Sequence, residues 1–172
     1  MAAGKSTVGH ALAWLLKWRL VDLDCEIECR SASTIPEIFA RQGEAEFRDI
    51  ESKALEFVLQ SAHVPTVIAL GGGTFVQPAN AELLRQRGVP VVFLELPIPQ
   101  LLERCRGIAG RSDPNPRPLA EDEEAFCALY ARRLPFYRKA DLTVNTDGRE
   151  PEQIAREVAQ ALRLHIPAAP ES

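Results

Sequence analysis

Four residues near the start of the chain, Gly4, Lys5, Ser6 and Thr7, have the order of the second half of a phosphate-binding loop, G-x-x-x-x-G-K-[ST]. In such a loop, backbone N–H groups and the positive end of the following helix surround an anion. Lys5 would add a mobile charge, and the Ser6 hydroxyl would ligate a Mg²⁺ ion that bridges nucleotide phosphates. The alternative interpretation is the capped start of an ordinary helix.

Two carboxylates and three glycines lie at the ends of apolar segments. Asp22 and Asp24, in V-D-L-D, are predicted on one face at the carboxyl end of a strand, where open parallel sheets bind ligands. The alternatives are a solvated strand end and a helix N-cap. Gly71, Gly72 and Gly73 close another apolar run, which indicates that the backbone approaches a ligand closely, unless they form only a loop.

Arginines supply candidate anion-binding groups. Arg48 and Glu51 are one turn apart on a predicted helix, so the carboxylate can hold the guanidinium for a bidentate contact to an anion. The alternative is an exposed ion pair worth less than ~1 kcal/mol. Arg117 lies between prolines in N-P-R-P-L, and Arg133 lies at a predicted helix end before Pro135. These two arginines are either solvated or neutralise carboxylates and phosphoryl groups.

Composition limits the classes of function. A chain of 172 residues with 46% hydrophobic residues fits one globular domain with a sizeable core. The net charge of −4 and the absence of Lys/Arg runs exclude a basic surface for nucleic acid or anionic membranes. No apolar stretch approaches the ~20 residues of a membrane span, and no signal peptide is apparent. The four cysteines form no C-x-x-C pair, so a cytoplasmic protein without disulfides or a cysteine-bound metal is predicted.

The elements that must position these residues alternate between helix and strand. Apolar periodicity predicts helices over 7–17, 80–88, 99–105 and 151–164, a pair within 34–60 broken near Gly43, and one through Tyr130 to Arg133. Strands are predicted over 19–24, 66–73, 89–97 and 140–146, with 66–73 and 89–97 fully buried. This order predicts an α/β domain with a mainly parallel sheet over 1–165 and a disordered tail at 166–172.

Read together, G-K-S-T, D-x-D, F-R, G-G-G, R-P-L and R-x-P-x-Y occur in one order along residues 1 to about 163, and this order resembles the shikimate kinase family. The resemblance implies a three-layer α-β-α fold of the P-loop, nucleoside monophosphate kinase type, with five parallel strands and a lid over about 106–120. It implies transfer of the γ-phosphoryl group of ATP to the 3-hydroxyl of shikimate, in the pathway to chorismate and the aromatic amino acids. Mg²⁺ is the implied cofactor, and a monomer is the implied assembly.

The resemblance also implies a role for each matching residue. The implied ATP-binding residues are Ala2, Ala3, Gly4, Lys5, Ser6, Thr7, Arg104, Arg117 and Arg149. The implied shikimate-binding residues are Asp24, Arg48, Glu51, Gly71, Gly72, Gly73 and Arg133. Ser6 and, through water, Asp22 are the implied metal ligands. The implied catalytic residues are Lys5, Asp24, which accepts hydrogen bonds from the substrate hydroxyls, and the lid residue Arg117.

Members of this family have an apolar strand and a further loop glycine before the position that Met1 occupies in this chain. That strand is central in their sheet, so we expect a gap between the strands predicted at 66–73 and 89–97. We also expect a chain of low stability or low activity, because the strand edges beside the gap would leave backbone N–H and C=O groups unpaired, at ~1–3 kcal/mol each. The natural protein is expected to start upstream. Two alternatives remain: another small-molecule kinase of this fold, such as a gluconate kinase, or a truncated, inactive ligand-binding fragment. The D-x-D, F-R and G-G-G set argues against gluconate.

Overall fold

Helices and strands alternate along the chain in a computed structural model, which describes residues 3–109 and 122–168. The helices are α1 Lys5–Leu16, α2 Leu23–Ser31, α3 Ile35–Ser61, α4 Pro78–Gln86, α5 Ile98–Ala109, α6 Glu123–Tyr137 and α7 Pro151–Ala161. The strands are β1 Arg19–Asp22, β2 Thr66–Ala69, β3 Val92–Glu95 and β4 Leu142–Asn145. This order confirms the predicted α/β class. Within these residues, no helix is both long and apolar enough to cross a bilayer.

The strands form two separate parallel pairs. β1 pairs with β2, with Arg19 opposite Thr66, and β3 pairs with β4, with Val92 opposite Leu142. Among the described residues no strand lies between β2 and β3, which both line a cavity of about 270 Å³ together with α1 and α7. The sheet is therefore divided at the position where a gap was expected, and residues 3–109 and 122–168 contain four strands, whereas the family resemblance implied five.

The division also changes the burial of β2 and β3. Both segments were predicted to be fully buried, but only Ala69 of these two strands is buried and the other residues are half-buried. The prediction was wrong because one edge of each strand faces the cavity instead of a neighbouring strand. Apolar content alone does not report whether a strand has neighbours on both sides.

Each pair of strands has its own apolar core. Leu23, Ile27 and Leu55 lie in a cluster formed by α2, α3, α4 and β1. A second cluster, formed by α5 and α6, includes Leu101 and Phe126. A third joins α1 to β4 and α7, and α1 also contacts β1 and β2. Helix α1 therefore links the two halves of the sheet.

Helix α3 begins with a reciprocal cap and bends at a glycine. The Glu37 N–H donates to Thr34 Oγ1 at 3.4 Å, and the Thr34 N–H donates to Glu37 Oε2 at 2.8 Å. Hydrogen bonds from the Thr34 backbone and then its side chain lower the pKa of Glu37. Gly43 has a φ of 78°, which confirms the predicted break between two helical parts.

Replacing Thr34 by Ala is expected to lower the free energy of unfolding by about 1 kcal/mol, the usual cost of losing an N-cap side chain. The loss arises because the Glu37 N–H loses its side-chain acceptor. Urea denaturation followed by circular dichroism measures this change. The neighbouring Ser33→Ala variant, outside the cap position, serves as the control and should change the free energy by less than half as much. Equal effects of the two substitutions would contradict the assigned cap.

Two helix ends differ from the predictions. Helix α5 was predicted to stop at Cys105 but continues to Ala109, so it includes the first residues of the predicted lid. Helix α6 passes through Pro135 to Tyr137, so Arg133 lies inside a helix rather than at its end. The prediction of a helix end before Pro135 was wrong: the helix continues for two residues beyond it, although proline has no N–H group to donate within the helix. The rest of the predicted lid, 110–120, lies outside the described residues, as do 169–172 of the predicted tail.

Candidate active site

Asp22 ends β1 and begins the next helix. Its Oδ1 accepts the N–H groups of Asp24 at 3.1 Å and Cys25 at 3.4 Å, which caps α2. Asp24 therefore lies in the first turn of α2, not on the strand as predicted. Capping by Asp22 starts the helix at Leu23, and the strand cannot extend past it. The helix N-cap alternative was correct for Asp22, whose Oδ2 also accepts a hydrogen bond from Ser6 Oγ at 2.9 Å.

The start of α1 has the backbone of an anion site. Gly4 occupies the N-cap position with a φ of 84° and offers no side-chain cap to the helix. The first N–H groups of a helix have no partner within the helix, so those of α1 are directed towards the space beside Gly4. A methyl group placed on Gly4 would lie 3.8 Å from Arg104 Nη1. This geometry favours the phosphate-loop interpretation over a capped helix. Ala2, another candidate nucleotide-binding residue, lies outside the described residues.

Lys5 and the triple glycine line one cavity. A space of about 90 Å³ is bounded by Lys5, Gly71 and Gly72, together with residues of β3 and α6. The glycines follow the carboxyl end of β2, which is where ligands bind in open parallel sheets. The candidate phosphate loop and the glycine loop are therefore neighbours.

The glycine loop lies against two of the candidate substrate-binding side chains, Asp24 and Arg48. A methyl group on Gly71 would lie 2.8 Å from Asp24 Oδ1. A methyl group on Gly73 would lie 2.7 Å from Arg48 Cζ. A Cβ atom at either position would displace the contacting side chain, so glycine allows Asp24 and Arg48 to lie against the loop backbone. The loop brings Asp24 and Arg48 to the same place.

Arg48 is held by a nearly buried carboxylate. Arg48 Nη1 donates to Glu51 Oε2 at 2.9 Å, and the buried Thr74 donates Oγ1 to Glu51 Oε1 at 2.6 Å. Glu51 is only 1% exposed, so the exposed ion pair considered above is not what forms here. Burial alone would lower the pKa of Arg48, but the hydrogen bond and attraction to Glu51, and then to Glu44, outweigh burial and raise it. Arg48 is therefore a fixed positive charge.

Helix α6 brings a second arginine to the same loop. Arg133 Nη1 donates to the Gly72 carbonyl at 3.4 Å, and Tyr137 Oη donates to the same oxygen at 2.5 Å. Asp24, Arg48, Arg133 and Lys5 thus all lie around the triple glycine. The contacts of Arg149 are with other residues: it donates to the Asn145 carbonyl at the end of β4 and forms an ion pair with Glu157.

The comparisons with known proteins agree with this geometry. The family model described as shikimate kinase matches residues 1–163. This chain belongs to that family. A shikimate kinase of Moorella thermoacetica is 39% identical over 166 residues, covering 96% of this chain and 92% of that protein.

Two solved structures of the family share the fold of this chain. The shikimate kinase of Acinetobacter baumannii in complex with shikimate has a TM-score of 0.82 and 35% identity, covering 95% of this chain and 88% of that one. The shikimate kinase of Bacteroides thetaiotaomicron has a TM-score of 0.81 and 30% identity, covering 95% and 94%. The three-layer P-loop type of fold implied by the resemblance is therefore confirmed.

Sequence reasoning missed three residues that support the site. Thr74 and Asn80 are buried polar residues. The Thr74 hydroxyl donates a hydrogen bond to the Glu51 carboxylate, and Asn80 Nδ2 donates to the Thr74 carbonyl at 3.1 Å. Tyr137 had been noted only as the last letter of R-x-P-x-Y. Its position four residues after Arg133 was an available signal, because residues four apart share one face of a helix. The catalytic candidate Arg117 lies outside the described residues.

Proposed function

We propose that this chain is an ATP-dependent shikimate kinase that phosphorylates the 3-hydroxyl of shikimate. One observation carries the proposal: a carboxylate, Asp24, and two guanidiniums, those of Arg48 and Arg133, meet at the triple glycine beside Lys5. This set matches a ligand that has both a carboxylate and hydroxyl groups. The relative from Acinetobacter baumannii was solved with shikimate bound.

The two arginines are proposed to bind the shikimate carboxylate. A guanidinium presents paired N–H donors that fit a carboxylate, and Arg48 is already oriented by Glu51. Arg133 reaches the same loop through its hydrogen bond to the Gly72 carbonyl. The backbone of Gly71 to Gly73 is proposed to complete this subsite, because the absence of Cβ atoms lets the ligand approach the peptide groups.

Asp24 is proposed to orient the attacking hydroxyl and to accept its proton. Phosphoryl transfer passes through a loose transition state, so positioning and cations contribute more than a strong base. An aspartate can therefore act without a strongly raised pKa. The side chain of Asp24 is exposed at the first turn of α2 and lies against Gly71, on the side of the loop where the carboxylate subsite is proposed.

The nucleotide is proposed to bind at the start of α1. Lys5 and the N–H groups from Gly4 to Thr7 would hold the phosphates, with Ala2, Ala3, Arg104, Arg117 and Arg149 as further proposed contacts. Ser6 Oγ and Asp22 Oδ2 are two hard oxygen donors 2.9 Å apart, which fits Mg²⁺ bound mainly by phosphates and water. When bound, this ion neutralises charge that develops on the transferred group. Asp22 would act through a water.

The decisive experiment is an assay that couples ADP release to NADH oxidation, with shikimate beside gluconate. The proposal expects turnover with shikimate at a rate well above ATP hydrolysis alone. Turnover with gluconate only would overturn it in favour of another small-molecule kinase. Binding of shikimate in calorimetry without any turnover would favour a non-catalytic binding fragment. The observation that favours this second candidate is the division of the sheet beside Lys5.

Replacing Gly73 by Ala is expected to raise the KM for shikimate at least tenfold while the KM for ATP changes less than threefold. The added Cβ atom would overlap the Arg48 guanidinium and displace it from the proposed carboxylate subsite. Steady-state kinetics with each substrate varied in turn measure the effect. Gly148→Ala is the control, because a methyl group there meets nothing within 4 Å, although its φ of +62° costs stability. Equal KM values in both variants would contradict the assignment.

A monomer in the cytoplasm is proposed as the working state. The described site residues all come from one chain, so a second copy is not needed to complete the set. Cys25, Cys29, Cys105 and Cys127 are all free thiols, which is typical of a reducing compartment. Sedimentation equilibrium at assay concentration tests the monomer, and a stable dimer would contradict it.

A further inference from the structure

The inference concerns Tyr137, the last residue of α6. Its ring stacks on Phe93 of β3, with centroids 5.2 Å apart and planes inclined by 25°. The ring also packs at a tilt against Tyr130, with centroids 6.4 Å apart. These contacts fix the ring within the β3–β4 half of the protein. The phenol oxygen is therefore carried by a ring that packs within this half of the protein.

That hydrogen bond reaches the other half of the protein. Tyr137 Oη donates to the Gly72 carbonyl at 2.5 Å, and Gly72 follows β2. Because β2 and β3 are not paired with each other, this contact joins the two halves at the candidate active site. Arg133 donates to the same carbonyl at 3.4 Å, so the phenol is the closer of the two partners.

The hydrogen bond has a consequence for the next N–H group. The peptide unit is planar and trans, so the N–H of Gly73 is directed opposite to the carbonyl of Gly72. Three successive glycines have more conformational freedom than any other tripeptide, and no Cβ atom restricts them. The turn bonds within the loop, Thr74 N–H to Gly71 O and Val76 N–H to Gly73 O, are 3.3 and 3.2 Å long. A strong external contact is needed to select one orientation.

We propose that Tyr137 is a positioning residue that fixes the Gly72–Gly73 peptide for binding the substrate carboxylate. The proposal deepens the proposed function and rests on it. Tyr137 does not contact the substrate; it holds the peptide while Arg133, the longer contact, moves from the Gly72 carbonyl onto the carboxylate. Without the phenol, Arg133 would have to restrain the loop and bind the ligand at the same time.

The test is Tyr137→Phe, which keeps the ring stacking and removes only the hydroxyl. The expected result is a KM for shikimate raised about tenfold, the effect of one hydrogen bond of ~1.4 kcal/mol, with kcat and the KM for ATP within about twofold of the parent. With shikimate carboxamide, which lacks the anion, the two proteins should differ by less than twofold. Tyr130→Phe, which removes the hydroxyl of the neighbouring ring, is the matched control and should leave all constants within twofold.

The possible outcomes of this test have three different meanings. An unchanged KM for shikimate in Tyr137→Phe overturns the proposal, and so does an equal increase for shikimate and its carboxamide. Absence of shikimate phosphorylation by the parent protein overturns the proposed function instead. A selective increase for shikimate, with the control unaffected, supports the positioning role.

A second measurement applies if Tyr137→Phe does not fold. A fluorinated tyrosine at position 137 keeps the hydroxyl but has a lower phenol pKa than tyrosine. Burial raises the pKa of Tyr137 and Glu51 adds to the rise, whereas Arg133, through its charge and a hydrogen bond, and then Arg48 oppose it. Because the net shift is upward, the parent phenol keeps its proton at neutral pH. Because a phenolate cannot donate to a carbonyl, the KM for shikimate should rise at a lower pH in the fluorinated protein. Identical pH profiles would overturn the proposal.

Discussion

Asp24→Asn is expected to slow shikimate phosphorylation at least a hundredfold while the protein binds ATP nearly as tightly as the parent. The substitution keeps the size of the side chain, but the neutral amide cannot accept the proton of the attacking hydroxyl. A positioned general base contributes ~10²–10⁴ in rate. Asp24 lies against Gly71, whereas the candidate nucleotide loop begins at Gly4, so ATP affinity should change by less than threefold.

Single-turnover kinetics measure the chemical step in this variant, and calorimetry measures ATP binding. Glu26→Gln is the matched control, because Glu26 lies one half-turn further along α2 and pairs with Arg30 at 3.8 Å. This control should retain at least half of the parent rate. Turnover by Asp24→Asn within threefold of the parent would remove Asp24 from the mechanism.

Glu51→Gln is expected to lower the free energy of unfolding by ~3 kcal/mol, as breaking a buried ion pair does. Glu51 accepts one hydrogen bond on each carboxylate oxygen, from Arg48 and from Thr74. A glutamine amide can accept from Arg48 through its oxygen and donate to the Thr74 hydroxyl through its NH₂ group, but it carries no charge to pair with the guanidinium. The Arg48 guanidinium, whose side chain is 17% exposed, would lose its closest counter-charge. The KM for shikimate should rise as Arg48 loses its fixed orientation.

The chain supplies its own control for this prediction. Arg48 also pairs with Glu44 at 3.0 Å, but the Glu44 side chain is 69% exposed. Glu44→Gln should therefore cost less than ~1 kcal/mol, because solvent screens the pair. Urea titrations of both variants give the two free energies. A cost for Glu44→Gln equal to that for Glu51→Gln would show that burial does not determine the contribution of this ion pair.

The order of the motifs predicted the site better than local patterns predicted the elements. G-K-S-T, F-R and G-G-G each have ordinary explanations, yet the folded chain brings Lys5, Arg48 and Gly71 to Gly73 together. Gly71 to Gly73 follow β2 at the carboxyl edge of the sheet, where ligands bind in parallel sheets, and Lys5 and Arg48 reach this loop from α1 and α3. The break near Gly43 was predictable for a local reason, because glycine permits the positive φ observed there.

Other features depend on contacts that a local pattern does not contain. Helix α2 was missed because the strand pattern of R-L-V-D-L-D continues through Asp24, whereas the side chain of Asp22 caps a helix at that point. The role of Tyr137 depends on a carbonyl 65 residues away in the sequence. The partial burial of β3 depends on which strand lies beside it. The cap of α2 is a local contact that competes with the strand pattern, whereas the other two cases are tertiary contacts that override a local preference.

The division of the sheet has a consequence for how the protein opens. In a continuous sheet, backbone amides of neighbouring strands become accessible to solvent together, in one cooperative unit. Here β1–β2 and β3–β4 have separate apolar cores and are linked mainly through packing on α1 and the contacts at Gly72. Hydrogen–deuterium exchange should therefore give different opening free energies for the β1–β2 pair and the β3–β4 pair. The edges of β2 and β3, exposed in such openings, are the places where self-association would begin at high concentration.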